Sequence, residues 1–112
     1  MAKLKESTTA VIVRGERPEG AWASEPYECG WATEAVLFAR LLEPGENEPA
    51  PLRVQISPDG MRWADEGTIL EVPNRADAVT FARIGHFGNW LRVKSDAAAG
   101  GAQILVTLHL KE

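Results

Sequence analysis

Apolar and polar positions alternate with a period of two along most of the chain. Leu52, Val54 and Ile56 fall on one side of the stretch Leu52-Arg53-Val54-Gln55-Ile56-Ser57, and Ile104, Val106, Leu108 and Leu110 fall on one side of the stretch from Gln103 to Lys111. This period is that of half-buried strands, whose successive side chains point to opposite faces. Further β-branched or alternating runs are Thr8–Arg14, Gly67–Val72, Ala78–Ile84 and Trp90–Ser95, and a short strand is expected within Tyr27–Thr33, broken at Gly30. Between them stand turn signals: Pro58-Asp59-Gly60, Pro73-Asn74, Gly85–Asn89 and Ala97–Gly101. The stretch Glu34–Leu42 is apolar on both sides and rich in good helix formers; a strand is the preferred reading because every neighbouring segment is strand-like. Gly15–Pro26, with two glycines and two prolines, reads as a long loop.

Some seven to eight short strands with turns at regular spacing predict one all-β domain, an antiparallel β-sandwich with a jelly-roll or Greek-key path. Residues 1–7 are expected to form a flexible N-terminal arm and residues 8–112 the sandwich. Val54, Ile56, Phe81, Val106 and Leu108 are expected in the core, with Phe38 among them. Pro58-Asp59-Gly60 predicts a hairpin turn with Gly60 at positive φ.

Composition narrows the function. The chain has 112 residues, a net charge of −4, one cysteine and two histidines. A mildly acidic chain without a concentrated basic surface argues against a nucleic-acid partner. No apolar run is long enough to span a membrane and no leader is visible, so the expectation is a soluble protein made in the cytoplasm. Cys29 alone can form neither an internal disulfide nor a multi-cysteine zinc site. His86 in a turn and His109 on the last strand read as surface histidines, and neither pairs with a nucleophile in any recognisable pattern. Asp65 and Glu66 are adjacent on a presumed strand, so their carboxylates should point apart. No glycine-rich phosphate loop is present. The proline-rich loop Glu43–Pro51, with Glu43, Glu46 and Glu48, reads as a solvated connection, with weak Ca²⁺ binding left open. The sequence therefore supports no catalytic residue, no metal and no cofactor.

Four tryptophans require weighing. Trp63 and Trp90 are expected to cover the ends of the core. Trp22 and Trp31, in or near the long first loop, are the candidates for an exposed aromatic patch of the kind that packs against a sugar ring.

The order of three features resembles that in a group of small sandwich proteins encoded with the structural genes of tailed bacteriophages and prophages. They are the apolar strand Ala35–Leu42, the hairpin Ser57-Pro58-Asp59-Gly60-Met61-Arg62-Trp63, and the strand Gly88-Asn89-Trp90-Leu91-Arg92-Val93, followed by the Gly100-Gly101 turn and the strand Ile104–Leu110. The hairpin also resembles those of galactose-binding and discoidin-like sandwiches. The likeness covers about residues 34–112, and the extended loop Gly15–Pro26 departs from it. It implies a virion or particle component, such as a capsid-decoration or tail accessory protein, and no catalytic residue. The alternative it leaves is a carbohydrate- or cell-surface-binding module.

The apolar second face of Glu34–Leu42 needs a cover, either the loop carrying Trp22 or another subunit. Another subunit is preferred, because contiguous exposed apolar surface marks interfaces. The expectation is a homo-oligomer, dimer or trimer, with Leu37, Leu41 and Leu105 at or near the contact, joined to a larger assembly.

Overall fold

The computed structural model of the chain describes residues 6–16, 18–97 and 100–112. The expected arm lies for residues 1–5 outside the described residues, as do Ala98 and Ala99 of the small-residue turn, while Ser7 already belongs to the first strand. Among the described residues nine strands follow in order: β1 (Ser7–Glu16), β2 (Trp22–Ala23), β3 (Tyr27–Glu28), β4 (Glu34–Glu43), β5 (Leu52–Ser57), β6 (Ala64–Leu70), β7 (Val79–Gly85), β8 (Trp90–Ser95) and β9 (Gln103–Lys111). No helix is found among the described residues, so none is there to cross a membrane.

The strands form two antiparallel sheets. The first has the order β1-β9-β4-β7. The second has the order β2-β8-β5-β6, with β3 beside β2 on the same side of β8. The pairing is nested: β1 with β9, β2 and β3 with β8, β4 with β7, β5 with β6. A chain folded in this way is a long hairpin rolled into two layers, the path of a jelly roll. The short strands β2 and β3 together occupy one strand position.

The core is the space between the sheets. Ala35, Leu37, Ala39 and Leu41 of β4 enter it with Leu108, Leu110, Ile104 and Val106 of β9, Leu52 and Val54 of β5, and Leu91 and Val93 of β8. Burying each such leucine stabilises the fold by about 1.5–3 kcal/mol. Val54, Val106 and Leu108 are buried as expected, and Ile56 is half-buried. Phe81 and Phe38 are not core residues. Phe81 is 53% exposed and Phe38 lies opposite it on the outer side of the first sheet. Charge decides the orientation. On β4 the parity of Phe38 also holds Arg40, and on β7 the parity of Phe81 also holds Arg83. Turning the phenylalanines inward would bury two guanidinium groups, which costs more than two aromatic rings return. The opposite parity, Ala35-Leu37-Ala39-Leu41 with Ala82 and Ile84, is wholly apolar.

The edge strand β1 carries two bulges, at Ile12 and at Gly15. The first lets the consecutive residues Ile12 and Val13 both reach the core. The second is accommodated by Gly15 at φ 80°.

Candidate functional site

The hairpin between β5 and β6 is organised by Ser57 and Asp59. Ser57 Oγ accepts from the backbone N–H groups of Gly60 at 2.8 Å and Asp59 at 3.2 Å. Asp59 Oδ1 accepts from those of Met61 and Arg62, each at 2.9 Å. These bonds, the one from Arg62 N–H first, hold the Asp59 carboxyl down to about 2. Gly60 has φ 79° as the turn chemistry predicts, and a Cβ there would lie 3.3 Å from the Trp90 ring. The turn therefore rests on Trp90. The return strand starts at Ala64, because Asp59 keeps residues 61–62 in the turn.

Trp63 and Trp90 thus belong to the outer surface of the second sheet, and neither covers an end of the core. Around them lies a polar row fixed by strand register: Arg92 on β8 opposite Gln55 on β5, and Gln55 opposite Asp65 on β6. The Arg92 guanidinium lies 4.2 Å from the Trp63 ring centroid, and its Nε–H donates to Gln55 Oε1 at 2.9 Å. Gln55 Nε2 donates to Asp65 Oδ1 at 2.9 Å. Arg53 spans Asp65 Oδ2 at 2.7 Å and Asp96 Oδ1 at 2.8 Å. The hydrogen bond from Gln55, then the one from Arg53 together with its charge, lower the Asp65 pKa. Asp65 and Glu66 do diverge, Glu66 Oε1 accepting instead from the Thr68 N–H.

The outer surface of the first sheet has a different chemistry. Register places three rows across it: Thr9, His109, Val36 and Arg83; Val11, Thr107, Phe38 and Phe81; Arg14, Leu105, Arg40 and Val79. Phe81 and Val79 are 53% and 56% exposed. Arg83 lies over Phe81 at 5.0 Å from its centroid, and His109 packs edge-on against Phe38. His109 has Thr9 Oγ1 and Thr107 Oγ1 at its two ring nitrogens, at 3.2 and 3.0 Å.

The residues singled out from sequence are placed as follows. Leu37 and Leu41 are fully buried between the sheets, so they cannot sit at a contact with another subunit; of the three interface candidates only Leu105 is on the outer face. Trp22 and Trp31 pack against the core and form no exposed aromatic patch. Trp22 closes the sandwich edge beside an apolar cleft of about 250 Å³ that Ile12 and Val13 also line. The loop carrying Trp22 therefore leaves the outer face of β4 uncovered. Burial, with the nearby Glu28 carboxylate, pushes the Cys29 thiol up to about 11. His86 stands at φ 54° in the β7–β8 turn, beside Phe87, Ala32 and Thr33. In the acidic loop Glu48 accepts from Asn74 Nδ2 at 3.2 Å. Among the described residues no three His, Cys, Asp or Glu side chains are grouped so as to hold a metal ion.

Comparison of the sequence with protein-family models and with curated proteins finds no match.

Proposed function

We propose that this chain is a non-enzymatic structural or assembly protein, a particle-decoration or accessory component of the bacteriophage type, that acts as a homo-oligomer through the outer face of its first sheet. The observation that carries the reading is the row Val11, Thr107, Phe38 and Phe81, with Val79 and Leu105 beside it, on a face that no part of the described chain covers. Apolar surface gathered on one face of a small domain is the usual mark of a protein contact.

A second copy of the same face fits it. The outward residues of β4 read Glu34, Val36, Phe38, Arg40, a self-complementary order. A two-fold axis perpendicular to the strands, passing between Val36 and Phe38, sets Glu34 against the partner copy's arginine at position 40 and brings Arg83 over the partner copy's phenylalanine at position 81. Such an isologous contact closes as a dimer.

Light scattering on the purified protein at micromolar concentration tests the reading. The expected result is a dimer mass, with Phe81→Glu giving a folded monomer. A monomer mass for the unaltered protein, or a dimer that survives Phe81→Glu, overturns it.

A further inference from the structure

We infer that the outer face of the second sheet holds a binding site for a carboxylate-bearing saccharide, centred on Arg92. The inference goes beyond the assembly reading and does not rest on it, since the two use opposite faces of the sandwich.

Arg92 is anomalous among its neighbours. On the same sheet Arg53 is paired with Asp65 and Asp96, and Lys94 lies 3.8 Å from Asp96. Elsewhere Arg40 pairs with Asp77 and Arg62 with Asp59. Arg92 has no such ion pair among the described residues. Its Nε–H is taken by a neutral amide, Gln55, and its flat face rests on Trp63. Partial burial disfavours its charge. A partly buried cation without a counter-charge is less stable than a paired one, and stacking on one indole offsets only part of that cost. The planar group is nevertheless fixed in orientation at both its Nε edge and its face. Its two Nη nitrogens remain to form the parallel pair of N–H donors that grips a carboxylate through both oxygens.

The surroundings select a sugar over an acidic peptide. Gln55 and Asp65 continue the row from Arg92, and Trp90 and Lys94 flank Arg92 on β8. Gln55 is buried and bonded to both Arg92 and Asp65, so the groups left to meet a ligand are the Arg92 Nη nitrogens, Lys94 and the remaining lone pairs of Asp65 and Asp96, a mix of donors and acceptors beside an aromatic ring that suits hydroxyl groups. Asp65 and Asp96 would repel the second and third carboxylates of an acidic peptide but accept from sugar hydroxyls. The aromatic residues are Trp63 and Trp90, a different pair from the two that the sequence pointed to.

Titration of the full chain with a trisaccharide carrying a single uronic acid residue, followed by tryptophan fluorescence and calorimetry, tests the site. Parallel titrations use a neutral trisaccharide and a short glutamate-rich peptide. The expected result is saturable binding of the uronate alone, weakened by added salt. Arg92→Gln should reduce affinity about tenfold or more, and Arg92→Lys, which keeps the charge and loses the fork, by a smaller factor. Arg75→Gln, in the loop before β7, should leave binding unchanged. Circular dichroism and the oligomer mass of Arg92→Gln should match the unaltered protein, which separates loss of this site from misfolding and from loss of the dimer. No saturable response to the uronate, equal affinity in a folded Arg92→Gln protein, or equal binding of the neutral sugar or the peptide overturns the proposal.

Discussion

Phe38 and Phe81 face each other across β4 and β7 on the solvent side of the first sheet, with ring centroids 6.0 Å apart. Their contact is a cross-strand pair of the kind that adds about 0.2–1 kcal/mol to a sheet. Phe81→Ala is therefore expected to lower stability by about 1 kcal/mol or less, whereas Leu37→Ala, in the core, should cost about 2–5 kcal/mol. Urea denaturation of the two variants checks this. The reverse order would mean that the opposite face of β4 is the buried one.

Gly60→Val should destabilise the fold by about 1–3 kcal/mol. Two causes add: a β-branched residue at φ 79°, and a side chain driven toward the Trp90 ring. The tryptophan emission should shift together with the melting temperature. A thermal melt equal to that of the unaltered protein contradicts the turn geometry.

Gly45 tolerates even less. A Cβ there would lie 2.0 Å from Gly100 O and 2.5 Å from Ala102 N, because the β4–β5 loop crosses the turn before β9, where Glu46 N–H donates to Gly100 O at 2.8 Å. Backbone, not a flexible side-chain end, is in the way. Gly45→Ala is expected to lower the melting temperature by more than a solvent-facing substitution such as Glu46→Ala does.

Asp59 predicts a pH dependence. Its folded pKa, about 2, is below the ordinary carboxylate value of 3.8. A group depressed in this way contributes stability that is complete above its unfolded pKa and is lost as pH falls through the folded one. The melting-temperature difference between the unaltered protein and Asp59→Ala should be constant above pH 5 and shrink between about pH 4 and pH 2. A difference that stays constant to pH 2 would show that the carboxylate is not what holds the turn.

Cys29 should be slow to react. The thiolate is the nucleophile, and a thiol held near 11 inside the core presents little of it at pH 8. Alkylation by iodoacetamide is expected only on the timescale of unfolding. Fast modification of the native protein would show that Cys29 is accessible.

The sandwich itself was legible in the residues, because period-two alternation and Pro-Asp-Gly chemistry are local signals that the packing does not overturn. Strands β8 and β9 match their expected bounds. The orientation of β4 and β7 was legible too, in Arg40 and Arg83, but reading it requires weighting charge above aromatic bulk. Placing Leu37 and Leu41 at an interface followed from that one inversion, since the face thought to be outer was the inner one. The roles of the tryptophans were not legible. Whether Trp22 or Trp63 meets solvent depends on what each lies beside, and that is set by the pairing of β2 with β8 and by the packing of Arg92 of β8 on Trp63, across distances that no local pattern encodes.

The nested pairing has a consequence for how the chain comes to its structure in time. β9, the last of the described strands in chain order, lies in the middle of the first sheet, between β1 and β4. Until it arrives, β1 has no neighbour to bond with, and β4 has only β7. A nascent chain must therefore keep β1 unpaired until β9 has been made, and the first sheet can close only once nearly the whole described sequence is available. Loop closure on this scale is entropically slow. In that interval a partly made chain exposes an unpaired apolar strand, which is when capture by a chaperone or mispairing with a sister chain is most favoured.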